Sequence, residues 1–205
     1  MKKFLVGMMV LTAFLFSGCG TTTLQVQSAM TRTVSLSPKA LEDKKVYLRV
    51  TGTTASILKL KAPLKQALLK RGVTLVDNPE LATISMHVNT LFANNLKEAA
   101  HYGGAALGGA TAGALASANG NSGGDSILIG ITAALAMGIV ENATRDETYR
   151  AVIDISLRTK NTLGQWSDED KTRVLVQAVK MGLKPMEAKG IMETQAVQKI
   201  ADILE

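Results

Sequence analysis

Short runs in which apolar and polar residues alternate recur along the chain. A period of two is typical of β-strands with one buried and one solvent-facing side. The clearest run places Tyr149, Ile153 and Leu157 on one face. The alternation predicts strands at 31–37, 45–51, 73–76, 82–92, 149–157 and 172–179.

Two segments instead have apolar residues at the spacing of an amphipathic helix. In 57–70 the leucines share a face opposite to lysines, and Gly72 follows where a left-handed residue would end the helix. A last helix is predicted at 186–204, with Met192 and Ile200 in its buried stripe. The chain is therefore expected to contain two helices among its strands.

The predicted elements follow the order β-β-α-β-β, an insert at 102–140, and then β-β-α. Strands that are followed by helices in this way favour an α+β domain. We expect a mostly antiparallel sheet with helices on one face, formed by residues 30–101 and 141–205 on either side of the insert.

The insert has a composition unlike that of a soluble loop. Among its 39 residues Asp125 is the only charged one, and ten are glycine and ten alanine. Two apolar segments, 102–118 and 127–140, flank a polar turn at 119–126. As helices they would span about 26 and 21 Å, which approaches the thickness of a thin membrane. The pattern predicts a Gly/Ala-rich transmembrane helical hairpin.

Small residues recur at every fourth position in both apolar segments. This spacing lets helix backbones approach closely, so we expect several copies to pack their hairpins together as a homo-oligomer. The residues expected at these contacts are Gly104, Gly108, Gly109, Gly113, Gly130, Ala134 and Gly138. The alternative is a hairpin buried in a soluble core, which is disfavoured because glycine costs up to about 1 kcal/mol per helix position relative to alanine.

The first twenty residues have the pattern of a bacterial secretory signal: two lysines, an apolar stretch and small residues. The single cysteine of the chain, Cys19, follows at once, as in bacterial lipoproteins. We predict a signal peptide at 1–18 and a lipidated tether at 19–29, with no cofactor other than the covalent lipid. Gly20 after the cysteine favours the outer membrane. The alternative, a secreted protein with an unmodified cysteine, is disfavoured because lone thiols are unusual in an oxidising periplasm.

Charge and side-chain chemistry exclude several classes of function. The net charge of +6 is too modest to indicate a nucleic-acid partner. His87 and His101 lack further ligands at metal-binding spacing, and the acidic run at 168–170 lacks the spacing of a calcium loop. We expect no metal site and no enzyme. Trp166, beside the acidic run, is either a contact residue or a packing anchor.

Four segments carry a family resemblance: MTRTVSLSP at 30–38, YGGAALGGA at 102–110, VEN at 140–142 and IADIL at 200–204. With the cysteine and the glycine-rich insert, they make the chain resemble the TraT family of outer-membrane lipoproteins. The resemblance implies a surface-exposed, lipid-anchored oligomer. Such a protein blocks redundant conjugative transfer by contact with the donor cell's mating apparatus and reduces killing by complement components.

The resemblance also implies where specificity resides. In the family, the specificity of exclusion is associated with the segment between the two apolar stretches. That segment contains Asn119, Gly120, Asn121, Ser122 and Asp125. The connection at 159–171 looks shorter than in typical members. The alternative function is that of a glycine-zipper envelope lipoprotein with a structural or membrane-organising role, which shares the hairpin but usually lacks so large a body.

Overall fold

The computed structural model describes residues 22–96, apart from Ser35 and Ala55, and residues 146–205. The strands of this part are β1 (Gln25–Met30), β2 (Lys45–Gly52), β3 (Thr74–Leu75), β4 (Ile84–Asn95), β5 (Asp146–Thr159) and β6 (Asp170–Met181). Its α-helices are α1 (Pro38–Asp43), α2 (Lys61–Lys70) and α3 (Pro185–Ala201). Short 3-10 helices lie at Pro79–Leu81 and Asp202–Leu204.

The six strands form one sheet in the order β1-β6-β5-β4-β2-β3. On one side, β4, β5, β6 and β1 pair antiparallel. On the other side, β2 runs parallel to both of its neighbours, β4 and β3. The sheet is therefore mixed.

The prediction of a mostly antiparallel sheet is wrong on the side that contains β2. Helix α2 follows β2 and returns the chain to the start of the sheet before β4 begins, so β2 and β4 point the same way. Such a crossover through a helix is the usual connection between parallel strands. Alternation within one strand identifies the strand but not the direction of its neighbour, which is why the sequence did not reveal this pairing.

The predicted transmembrane helical hairpin at 102–140 is not supported, and those residues lie outside the described ones. Among the described residues, no helix is both long and apolar enough to cross a membrane. The longest of them, α3, has 17 residues and carries four charged side chains. A membrane-spanning helix needs about 20 mainly apolar residues.

The hydrophobic core lies on the face of the sheet that the helices cover. Met86, Ile153 and Leu157 point to this face from β4 and β5 and are fully buried. From α3 come Met192 and Ile200, as the periodicity predicts. Helix α3 packs on β6, β1 and α2. Burying each of these large side chains contributes roughly 1.5–3 kcal/mol, so this layer fixes the helices on the sheet.

The first strand lies earlier in the chain than predicted. The strand expected at 31–37 is irregular where it is described, and β1 instead occupies part of the predicted tether. Val26 and Met30 of β1 pack against the core, and this half-buried edge strand has too few large apolar residues to give a clear alternation. Ser37 caps the unpredicted helix α1 by accepting a hydrogen bond from the Ala40 N–H.

The register places two chain segments at one end of the sheet. Gln25, at the start of β1, pairs with Val179, and Asn95, at the end of β4, pairs with Tyr149. The chain toward Cys19 and the segment 97–145 therefore both connect to this end, which we call the anchor end. The connection between β5 and β6 lies at the opposite end. With 14 residues, β5 extends over about 45 Å from the anchor end to the end that carries this connection.

Candidate interaction surface

The connection between β5 and β6 is a turn fixed by its own hydrogen bonds. The side-chain Oδ1 of Asn161 accepts hydrogen bonds from the N–H groups of Leu163 and Gln165, both at 2.9 Å. Gly164 has a φ of 76°, a left-handed conformation that glycine adopts without strain. The turn therefore holds Leu163 in one place, with 80% of it exposed.

Trp166 lies beside this turn and contacts Lys160. The two residues form an isolated β-bridge, and the Lys160 ammonium lies 4.9 Å from the centroid of the indole ring. This distance is within the range of a cation–π interaction. The Lys160 Nζ also donates a hydrogen bond of 2.5 Å to the carbonyl of Glu80. Trp166 is thus both a packing anchor for the turn and a half-buried part of its surface.

A second exposed leucine belongs to the same region. Leu81 follows Glu80 in the 3-10 helix and is 65% exposed. The N–H of Lys160 donates to the carbonyl of Thr83 at 2.9 Å, which ties this helix to the turn. We call Leu81, Lys160, Leu163 and Trp166 the β5–β6 surface. Exposed apolar patches mark sites of protein–protein contact, and tryptophan is among the residues that contribute most to binding at such sites.

The acidic run next to this surface is largely paired with basic side chains. The Lys171 Nζ lies 2.9 Å from the Glu169 carboxylate, and Arg32 lies 3.2 Å from Asp170. The hydrogen bond from Lys171 lowers the pKa of the Glu169 carboxyl below its ordinary value, against the opposing effect of burial. A further hydrogen bond from Ser156 lowers that pKa as well. Within the described residues, no three metal-binding side chains cluster together.

The face of the sheet opposite to the helices carries a row of hydrogen-bonded polar residues. Thr51 donates to Asn89 Oδ1 at 2.8 Å, and His87 Nε2 lies 2.8 Å from the same hydroxyl. Because the hydroxyl has one proton, His87 is the donor in this arrangement. Arg173 forms a bidentate ion pair with Asp154 on the same face. His87 is thus placed in a network with other side chains.

Most residues that the sequence singled out lie outside the described ones. These are Cys19, His101, the small residues Gly104, Gly108, Gly109, Gly113, Gly130, Ala134 and Gly138, and the polar-turn residues Asn119, Gly120, Asn121, Ser122 and Asp125. Their predicted roles in lipidation, packing and specificity remain predictions.

Sequence reasoning considered Trp166 but missed the other members of the β5–β6 surface. The available signal was local: Asn161 followed by Gly164 is turn chemistry, and it brackets an apolar residue in a polar connection. No local pattern of this kind predicts that Leu81 belongs to the β5–β6 surface. Leu81 is far from Leu163 in sequence, and the two segments meet only through the pairing of β4 with β5.

Comparison with known proteins identifies the family. The family model described as "Enterobacterial TraT complement resistance protein" matches residues 23–168, which is more than half of the chain. The chain belongs to the TraT family. The resemblance found in the sequence is therefore confirmed, and the matched range contains β1 to β5 and the residues of the β5–β6 surface.

Full-length relatives support the same assignment. A TraT complement resistance protein of Escherichia coli is 28% identical over 243 residues, with 100% of this chain and 99% of the relative covered. A second protein of that name from Escherichia coli is 27% identical over 242 residues, with 99% of each covered. Since this chain has 205 residues, the first alignment contains 243 − 205 = 38 positions without a counterpart in it.

Proposed function

We propose that this TraT family member is a lipid-anchored outer-membrane protein that acts by contact at the cell surface, without turnover. Its role would be surface exclusion of conjugative transfer and resistance to complement. The observation that carries the proposal is the TraT match over residues 23–168, joined by relatives named as complement resistance proteins over their full length. TraT is not a known enzyme family.

The positions of the anchor end and the β5–β6 surface support a contact mechanism. A lipid on Cys19 would hold the anchor end at the membrane, because β1 begins there. The exposed Leu163 and the neighbouring Trp166 lie at the other end of β5, about 45 Å away. We propose that this surface meets the mating apparatus of a donor cell or a complement component. The polar turn at 119–126 is proposed to set specificity, as the family implies.

The protein is further proposed to be lipidated at Cys19 and to assemble into a homo-oligomer. We infer that Cys19 carries three acyl chains, which hold a protein on a membrane far more firmly than one chain does. The small residues of 102–140 are proposed to join copies into a homo-oligomer through close backbone packing. The mass of the denatured protein, extracted from separated envelope fractions, tests the lipid, and its native mass tests the oligomer. An unmodified monomer in the periplasm would contradict both statements.

The contact mechanism is tested with paired variants in cells that express the protein. Leu163→Asp combined with Leu81→Asp places charges on the β5–β6 surface. The matched control is Met186→Asp, since Met186 is also an exposed apolar residue, at 76%, but follows β6 at the anchor end. Conjugation frequency into these recipients and their survival in serum are measured at equal amounts of protein.

We expect the double variant to lose at least about tenfold in exclusion or in serum survival, because each new carboxylate would have to lose its water without gaining a partner when this surface is covered. The Met186 control should behave like the unmodified protein. Full exclusion and full serum survival by the double variant would refute the role of the β5–β6 surface. If the unmodified protein gives neither phenotype, the proposed function itself is wrong.

A further inference from the structure

The sheet has a free edge on each side. On one side β1 is the outermost strand. On the other side β3 pairs only with Lys45 and Val46, so residues 47–52 of β2 have no outer neighbour in the described part of the chain. Free edges present backbone N–H and C=O groups that can pair with another chain. Both edges are therefore candidate contact surfaces.

The hydrogen bonds on the inner side of each edge strand show which backbone groups face outward. Thr31 donates its N–H to the Arg173 carbonyl, so the odd-numbered residues of β1 face β6 and the even-numbered ones face outward. Thr53 donates to the Thr90 carbonyl, so the same holds for β2 beside β4. Among the described residues, no backbone hydrogen bond reaches the outward-facing groups. These groups belong to Val26, Ser28 and Met30 in β1 and to Leu48, Val50 and Gly52 in β2.

The two edges lack the features that usually keep sheet edges apart. Natural edge strands are protected by charged residues, proline or bulges. β1 contains no charged residue and no proline, and its pairing with β6 is regular. The outward-facing residues of β2 are also uncharged, and a cavity of about 550 Å³ lies beside this edge, lined by residues 50–53 and 58–62. The free side of β2 therefore has room for a further strand.

The two edges match each other in direction and in side-chain orientation. The pairing across the sheet makes β1 antiparallel to β2, so β1 of a second copy placed beside β2 continues the sheet as an antiparallel pair. Val26 and Met30 of β1 point to the core face, as do Leu48 and Val50 of β2, and all four are only partly buried. Opposite residues of an antiparallel pair share a face. Joined edges would therefore continue one core from copy to copy.

We propose that copies of this chain join edge to edge, with β1 of one copy paired antiparallel to β2 of the next. Ser28 lies opposite Val50 in this register, with Val26 opposite Gly52. Each opposite pair exchanges two backbone hydrogen bonds. This contact joins the sheets themselves, in addition to the packing proposed for residues 102–140.

The anchor ends favour this head-to-tail contact over a symmetric one. Antiparallel pairing of β1 with a second β1 would place the two anchor ends on opposite sides, which a common membrane does not allow. Pairing of β1 with β2 keeps all anchor ends on the same side. The exclusion of the symmetric contact rests on the proposed lipid on Cys19, whereas the match between the two edges does not.

The register also sets the tilt of the strands. Within one copy Gly52 lies level with Met30, whereas across the contact it meets Val26, four residues away. Each copy therefore shifts the sheet by about 13 Å along the strands over a width of about 24 Å. This stagger tilts the strands by about 30°, near the 35–45° typical of closed barrels. Repeated head-to-tail contacts of this kind can close into a ring.

The test places cysteines at the contact in the full-length protein, extracted in mild detergent and oxidised with copper phenanthroline. Ser28→Cys combined with Val50→Cys brings two Cα atoms to about 5.5 Å across the contact, which suits a disulfide. Within one chain the two positions are four strand spacings apart, about 19 Å along the sheet, which is too far. The matched control is Gln27→Cys with Val50→Cys, because the Gln27 side chain lies on the opposite face.

We expect a ladder of covalent dimers, trimers and larger species from Ser28→Cys with Val50→Cys, and none from the control. Met30→Cys with Leu48→Cys has the same register, so it should give the same ladder and keeps the test decisive if the first pair does not fold. An equal ladder from the control would overturn the register. A covalent dimer of acylated protein carrying Ser28→Cys alone would indicate β1 beside β1 and overturn the head-to-tail contact.

The native mass and the mass of the denatured protein separate this contact from the proposed function. A discrete native oligomer that gives no ladder with either cysteine pair would contradict the edge contact alone. A ladder from a protein whose Cys19 carries no acyl chains would contradict the anchor and leave the contact standing. A monomer by native mass would contradict both the proposed assembly and the contact.

Discussion

The adjacent leucines Leu68 and Leu69 of α2 allow a direct test of how this helix packs. Leu68 is fully buried in the core, whereas Leu69 is 56% exposed on the outer side of the same helix. Both replacements by alanine keep or slightly improve helix propensity, so a difference between them reports packing. We predict that Leu68→Ala strongly destabilises the protein and that Leu69→Ala does not.

The size of the effect follows from the burial of each side chain. Truncating a fully buried leucine to alanine costs about 3 to 4 kcal/mol, which includes the lost transfer free energy and the cavity that remains. For a domain of this size, that corresponds to a fall in the melting temperature of about 10 °C. Replacing an exposed leucine changes the free energy of unfolding by about 0.5 kcal/mol or less.

Thermal and urea unfolding, followed by far-ultraviolet circular dichroism in the same detergent, measure the two variants side by side. The difference in the free energy of unfolding should exceed about 2 kcal/mol. Equal values for Leu68→Ala and Leu69→Ala would refute the packing of α2 on the sheet.

Two further predictions concern the β5–β6 connection. Gly164→Ala, at a φ of 76°, should lower the free energy of unfolding by about 1 kcal/mol because an alanine is strained there, and a urea midpoint equal to that of the unmodified protein would contradict this. Glu169 has a lowered pKa in the folded protein, so its pairing with Lys171 stabilises the fold above pH 4.5 and this contribution is lost as the pH falls through the lowered value. Glu169→Gln should therefore be less stable than the unmodified protein at pH 7, and the difference should vanish at low pH. A difference that stays constant from pH 7 to pH 3 would exclude this linkage.

Local patterns in the sequence predicted the central strands well. In β5, Tyr149, Ile153 and Leu157 alternate strictly with the residues of the other side, which is polar apart from Val152, and the structure has them buried on the core face. Helix α3 and the left-handed Gly72 after α2 also agree with the predictions. These features depend only on residues close together in the chain.

Features that depend on distant residues were not predicted. The parallel pairing of β2 with β4 is set by the crossover through α2, and the contact between Gly52 and Thr90 exists only in that register. Edge strand β1 was missed for another reason: Gln25, Ser28 and Ala29 lack the bulky residues that make alternation visible.

The register between β4 and β5 has a consequence for the segment that joins them. Asn95 pairs with Tyr149, so the chain departs from and returns to adjacent, hydrogen-bonded strands. A two-residue turn would be enough to join two such strands. The pairing of these two strands therefore does not require the segment that joins them to have a particular length or composition. A segment of another length can therefore join the same two strand ends without changing how β4 and β5 pair.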